Sequence, residues 1–362
     1  MTEVPYTPAV VVDLPVVRRN IDMFMAYTRK HGIKVRPHTK THKSVRIAKM
    51  QIAAGMKGLT FAKVGEAEAL ADVTDDILVA YPVFDEYRRG RLAELAKRKT
   101  VRVALDAAYG AEMIGSAAKS AGVTIGVLAD IDVGMHRTGV QTPGELVELA
   151  KKIDGIAGVR LDGIFCYPGH IKGPDEEKIA GLAPVQAMLA ESVELFKKAG
   201  LSTEIVSGGS SPTAMVSHYV PAYTEIRPGT NVYNDMNQVW GEVCGVEDCA
   251  ARVTCTVISV AVPGKFVLDG GSKTFTQDRS GYDPVGHGFG RVVEYSEGVV
   301  TRLTEEHAEV EVRGGKTPKL GERVTVVPNH VCPCINLHEA VWYRESDGSL
   351  VREVVEGRGK LV

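Results

Sequence analysis

Through residue 226 the chain repeats one unit: a short run of consecutive apolar residues, a polar turn, then a longer stretch with apolar residues three and four apart. Residues 9–13 (Ala-Val-Val-Val-Asp) predict a strand, and 14–30 a helix with Val17, Ile21, Met25 and Ala26 on one face. Further strands are predicted at 33–35, 59–62, 77–80, 101–105, 125–129, 161–166, 204–206 and 225–226. Helical patterns at 44–54, 65–71, 87–97, 107–120, 143–153 and 180–199 fall between them. Uninterrupted apolar strands separated by helices signal parallel strands buried on both faces. Six to eight such units in series predict a (β/α)8 TIM-type barrel, an α/β fold.

After Asn231 the period changes to two. Segments 253–262, 264–269, 290–293, 298–302, 308–312 and 323–327 alternate apolar with polar residues, broken by Gly270-Gly271 and Gly314-Gly315. That predicts a C-terminal antiparallel β domain. The expected division is a barrel at 8–240 and a β domain at 241–362 together with 1–7.

Composition narrows the function classes. A chain of 362 residues suits two domains or a barrel with an appendage. With 44% hydrophobic and 24% charged residues it has the balance of a soluble globular protein. A net charge of −2 provides no long-range attraction to nucleic acid. No apolar run approaches the ~20 residues of a membrane span, and the N-terminus lacks the pattern of an export signal. Six cysteines are too few for a disulfide scaffold, so the expectation is a cytoplasmic protein without nucleic-acid or membrane partners.

Five clusters could carry chemistry. Arg36-Pro37-His38-Thr39-Lys40-Thr41-His42-Lys43 follows a predicted strand, where barrels hold their active sites. A lysine there among other cations is a good Schiff-base former, although a solvated basic loop is the bland alternative. Ser207-Gly208-Gly209-Ser210 and Arg227-Pro228-Gly229-Thr230 follow the last two predicted strands, the usual place of a barrel's phosphate site. Asp130-Ile131-Asp132-Val133-Gly134-Met135-His136-Arg137-Thr138-Gly139 sets Arg137 at a strand top, either for a ligand or for an ion pair with Asp130 or Asp132. Cys166-Tyr167-Pro168-Gly169-His170 brings a ring and an imidazole to another strand end. In Pro328-Asn329-His330-Val331-Cys332-Pro333-Cys334, an extended backbone would point His330 and Cys332 to one face, a donor pair suited to Zn²⁺. Cys244 and Cys249 have no second pair and read as structural, and His287-Gly288-Phe289-Gly290 lacks the strand–turn–helix setting of a dinucleotide fingerprint.

These motifs, in this order, resemble the D-threonine aldolase / D-serine dehydratase family, fold-type III pyridoxal-phosphate enzymes related to alanine racemase. The resemblance implies that Lys40 holds pyridoxal 5'-phosphate covalently and that His170 is a candidate base. It implies that Arg137 meets the cofactor's phenolic oxygen and that Tyr167 lies beside the cofactor. It makes Ser207, Gly208, Gly209, Ser210, Gly229 and Thr230 the phosphate cup, with a hydroxyl from Tyr233. It makes His330 and Cys332 ligands of a divalent metal, Zn or Mn, and implies a homodimer. The activity implied is cleavage of a small D-3-hydroxy amino acid, D-threonine to glycine and acetaldehyde. The alternative is a D-serine or D-3-hydroxyaspartate dehydratase, because His330-x-Cys332 is the wording of that branch while Val133 to Gly139 and Tyr167 to Ile171 are closer to the aldolases. A racemase, or a regulatory protein that only binds the cofactor, are the more distant readings.

Overall fold

The computed structural model describes residues 1–283, 286–312 and 316–362, so the Gly314-Gly315 turn lies outside the described residues. The chain forms two compact units, one of 24–40, 44–229 and 359–362, the other of 1–23, 41–43 and 230–358. The boundary falls at 229/230, and Ala9–Asp13 is no barrel strand: it pairs antiparallel with Ala251–Ser259 and parallel with Ala340–Arg344. An apolar run buried on both faces has the same pattern in either sheet, so its sequence could not choose between them.

The first unit is an α/β layer built on a curled eight-stranded parallel sheet. Its spatial order is Lys34–Val35, Glu225–Ile226, Ile205–Gly208, Val159–Phe165, Ile125–Asp130, Thr100–Leu105, Asp76–Val79 and Leu59–Phe61. The two edges meet: Lys57 N–H donates to Val35 O (2.7 Å), Thr60 N–H to Pro37 O (2.9 Å) and Thr39 N–H to Thr60 O (2.9 Å). All eight predicted strands of this sheet are present. Helix Pro143–Asp154 starts where Thr142 and Glu145 form a capping box with Pro143 in the first turn. Helix Asp175–Lys198 is, against expectation, long and apolar enough by composition to cross a membrane. Its buried Leu182, Val185, Leu189, Ser192 and Phe196, three and four apart, give it instead a stripe facing the core of the unit.

Strand alternation stacks inward-facing side chains in layers. The lowest is charged: Arg36, fully buried, donates to both carboxylate oxygens of Glu225 (3.0 and 3.1 Å) and of Asp76 (2.8 and 2.9 Å). Arg102 bonds Asp76 and Asp162, and Arg160 also bonds Asp162. Gly126 makes room for this pair, since a Cβ there would lie 2.3 Å from Asp162 Oδ2. Two residues further along the strands, Leu78, Ala104, Leu128, Phe165 and Ile205 form an apolar layer. Two further still come Ala80, Asp106, Asp130 and Tyr167, at the mouth.

The second unit holds a nine-stranded sheet, in the order Lys265–Leu268, Ala308–Val312, Gly298–Leu303, Gly290–Val292, Arg323–Pro328, Ala251–Ser259, Ala9–Asp13, Ala340–Arg344, Leu350–Val354. Lys265–Leu268 also pairs with Ala251–Ser259, closing the first six strands into a small antiparallel barrel. Along Ala251–Ser259, Val253, Cys255 and Val257 are buried at alternate positions, as the period of two requires. The last two strands were not read from the sequence.

Candidate active site

A cavity of about 410 Å³ opens at the C-terminal ends of the parallel strands, lined among others by His38, Lys40, Tyr81, Asp106, Asp130 and Arg137. Its volume suits a small molecule. A surface groove of about 400 Å³ between helices Glu86–Ala96 and Ala108–Ala121 gathers no comparable chemistry, being lined by outward-facing helix residues.

Lys40 reaches the cavity because the strand continues its alternation beyond Val35. Arg36 points to the charged floor, while His38 and Lys40 both line the mouth. Thr39 is fixed by its N–H and hydroxyl, both donating to Thr60 O (2.9 and 3.0 Å). His38 Nδ1 accepts from the Lys40 N–H at 3.3 Å. The solvated basic loop is thereby excluded: Arg36, His42 and Lys43 are buried.

Arg137 is presented by a loop wrapped around aspartates. Asp132 Oδ1 accepts from the N–H groups of Gly134 and His136, both at 3.0 Å, and Asp106 Oδ2 accepts from Gly139 N–H at 3.1 Å. Burial works against the Asp132 carboxylate, yet the donors from His136 and Gly134 hold its pKa below the usual value. Gly139 has a φ of +106°, and a Cβ there would sit 2.3 Å from Asp132 N, so glycine is required. The Arg137 guanidinium lies 4.7 Å from the Tyr167 ring centroid, a cation–π distance. The expected ion pair is thus divided: Asp132 binds backbone and the exposed His136, whereas Asp130 lines the cavity with Arg137. His170 is exposed, its Nε2 3.0 Å from where a Cβ on Gly134 would be. Cys166 is fully buried, and burial pushes its thiol up to about 12, which makes it inert.

The glycines of the loops sit where the packing leaves no room for a side chain. A Cβ on Gly208 would meet the Tyr223 ring at 2.1 Å, and Gly209 has a φ of +75°. Ser210 and Thr213 hydroxyls lie 3.0 Å apart, and Ser211 Oγ accepts from Gly229 N–H at 3.1 Å, tying the two loops together. Two of the expected cup residues have partners of their own. Ser207 turns inward, its hydroxyl donating to Glu225 Oε1 (2.6 Å) and accepting from Arg227 (2.6 Å), so it is part of the interior network. Tyr233 is buried in the second unit with its hydroxyl bonded to Tyr343. Strand periodicity assigns Ser207 to the interior once the register is known, and nothing local signals the partner of Tyr233.

In the second unit, His330 and Cys332 come together, but not on an extended chain. Helix Val331–Leu337 begins at His330, and Asp235 Oδ2 accepts from Val331 N–H at 3.0 Å, stabilising the helix start. Burial disfavours protonated His330, but the hydrogen bond and charge of Cys332, with Asp235 and Asp278, outweigh it and hold the imidazole up to about 9. Asp278 Oδ2 lies 2.7 Å from His330 Nδ1. The Thr41 and Thr230 hydroxyls lie 3.1 and 3.8 Å from Cys332 Sγ. Nitrogen and sulfur donors fit a borderline-soft divalent ion. Among the described residues no cluster of three His, Cys, Asp or Glu is arranged to hold a metal. Cys249 is buried and hydrogen-bonded to Cys244, both free thiols, in keeping with a structural role.

Residues 12–237 match the alanine racemase N-terminal domain and 250–343 a serine dehydratase domain. The chain is 32% identical to 3-hydroxy-D-aspartate aldolase of Paracoccus denitrificans over 371 residues, covering 98% of this chain and 92% of that protein. It is 32% identical to D-threo-3-hydroxyaspartate dehydratase of Delftia sp. over 367 residues, covering 95% of each. The crystal structure of D-threonine aldolase from Filomicrobium marinum superposes with a TM-score of 0.89 at 27% identity, covering 99% of this chain and 97% of that one. A matching domain across more than half of its length and full-length relatives at this identity place the chain in the D-threonine aldolase / D-serine dehydratase family of alanine-racemase-like proteins.

Proposed function

We propose that this protein is a pyridoxal-phosphate- and metal-dependent lyase that cleaves D-3-hydroxy amino acids, of the D-threonine aldolase type. The observation that carries the reading is Lys40: an amine at a small-molecule cavity, facing Arg137 and Asp130, in a unit with two paired glycine loops. The relatives' names support the same reaction class. When bound, the cofactor would supply an electron sink for charge developing at the substrate's Cα. Lys40 would hold it covalently, and its ε-amine is the group able to take or return a proton there. Arg137, with its flat face on Tyr167, offers N–H donors for the phenolic oxygen. Gly208, Gly209, Ser210, Gly229 and Thr230 would hold the phosphate. His330 and Cys332 would hold a divalent metal, Zn or Mn, which would acidify a substrate hydroxyl; His170 is the candidate base.

The same reading takes the curled parallel sheet as a closed (β/α)8 barrel, supported by the edge-to-edge bonds of Lys57, Thr60 and Thr39. It takes the protein as a cytoplasmic homodimer acting on a small molecule, which light scattering of the purified protein checks. Dehydration of D-serine or D-3-hydroxyaspartate is the second reading, favoured by the cysteine in the metal pair and by the Delftia relative. One assay separates them. Incubation with D-threonine, D-threo-3-hydroxyaspartate, D-serine and D-alanine should yield glycine and an aldehyde from the first two. Ammonia with a keto acid would establish the dehydratase, and L-alanine a racemase. No product from any of them would refute the lyase assignment.

A further inference from the structure

The mouth cavity holds two carboxyl groups that the scheme above does not use. Asp106 follows strand Thr100–Leu105 and Asp130 ends strand Ile125–Asp130; parallel neighbours in register, they line the same cavity. Asp130 is only 6% exposed. Charged and titratable groups face it from every side: Asp106 on one neighbouring strand, Cys166 and Arg227 on others, Arg137 on its own loop, with His38 and Lys40 across the cavity. Arg227 is already engaged, donating to Ser207 Oγ and Cys166 O (both 2.6 Å) and lying 3.8 Å from the Phe165 ring centroid. Asp106 is engaged by Gly139 N–H. Because both acceptors of Arg227 are neutral, Asp130 faces two cations, Arg227 and Arg137, and of the two it is Arg137 that lines the cavity with it.

Resting on the pyridoxal-phosphate reading, we propose that Asp130 is a positioning residue that acts as a titrating counter-charge to Arg137, with Asp106 as the like charge that tunes it, so that pH sets how much positive charge Arg137 turns toward the cofactor. A carboxylate close to another carboxyl disfavours ionisation of the second. Burial, with a smaller push from Asp106, raises the Asp130 carboxyl to about 6 against the pull of Thr138, Arg227 and Arg137. Below that pH Asp130 is neutral and Arg137 acts with its full charge. Above it, the ionised Asp130 offsets Arg137 and weakens the hold on an anionic ligand.

The test is the dissociation constant of pyridoxal phosphate for the cofactor-free protein, measured by fluorescence from pH 5 to 8 for wild type, Asp130→Asn, Asp106→Asn and the double variant. The cofactor's own phosphate titration is common to all and cancels in the ratio to wild type. Asp130→Asn should bind equally at pH 5 and several-fold tighter at pH 8, with the step centred near 6. In the Asp106→Asn background the step should move to lower pH. A constant ratio across the range, as a purely structural role would give, overturns the inference while leaving the lyase reading standing. Wild-type protein that does not bind pyridoxal phosphate sinks both. Carbon-13 spectra of the aspartate carboxyls in the unsubstituted cofactor-free protein give a check that needs no variant: one buried carboxyl should titrate near 6, and none doing so overturns the inference.

Discussion

The floor and the mouth of the parallel sheet are built from the same residue types two layers apart, and they do opposite things. On the floor, Arg36, Arg102 and Arg160 meet Asp76, Asp162 and Glu225 with every guanidinium bonded to carboxylate. Burial opposes the charge of Arg36, but Glu225 and Asp76 outweigh it and keep the guanidinium protonated. At the mouth, Lys40, Arg137, Asp106 and Asp130 surround space instead of one another. Charge that is matched inside the protein gives rigidity, and charge left facing a cavity gives chemistry. An apolar layer of Leu78, Ala104, Leu128, Phe165 and Ile205 keeps the two apart.

The largest expected effect belongs to the mouth. Lys40→Ala should eliminate the visible absorbance of added pyridoxal phosphate on the protein and all turnover, while the melting temperature stays close to wild type. The matching change on the floor, Arg36→Met, should do the reverse: it strands Glu225 and Asp76 without a partner, at a cost of ~3–5 kcal/mol in denaturant unfolding. A loss below ~1 kcal/mol would show that the floor is not what rigidifies the sheet. Replacing His330 or Cys332 with Ala should lower zinc affinity by at least 100-fold in a competition titration with a chelator, and EDTA should strongly reduce wild-type turnover. Asp278→Asn should be milder, about 10-fold in zinc affinity, as for other carboxylates that orient a ligating histidine. The smallest effect is in acid. Burial raises Asp76, but Arg36 and Arg102 more than reverse this and depress its pKa, so its contribution to stability is present above about 4 and is lost as pH falls further. Urea midpoints between pH 3 and 6 should show this loss in wild type and little of it in Arg36→Met.

The same contrast explains what the sequence made legible. The eight parallel strands could be read because apolar runs punctuated by helical periods leave few alternatives, and Lys40, Arg137 and the glycine loops followed from lying at strand ends. Asp106 occupies an equivalent strand-end position and could have been found by that rule; a lone aspartate simply attracts less notice than a basic cluster. Beside two glycines the Ser207 hydroxyl reads as a ligand, and the sequence gives no sign that Glu225 and Arg227, 18 and 20 residues on, engage it. The pairing of His330 with Cys332 was foreseen on a wrong backbone, since the helix start depends on Asp235, 96 residues away in sequence.

Each unit is assembled from three separated stretches of chain, and the backbone passes from one to the other between Lys40 and Thr41 and back between Lys43 and Ser44. No single cut therefore releases either half as a fragment, and trimming the gene at the apparent barrel end would remove partners from both. Anyone wishing to transplant the reactive lysine into another scaffold has to carry that crossing with it.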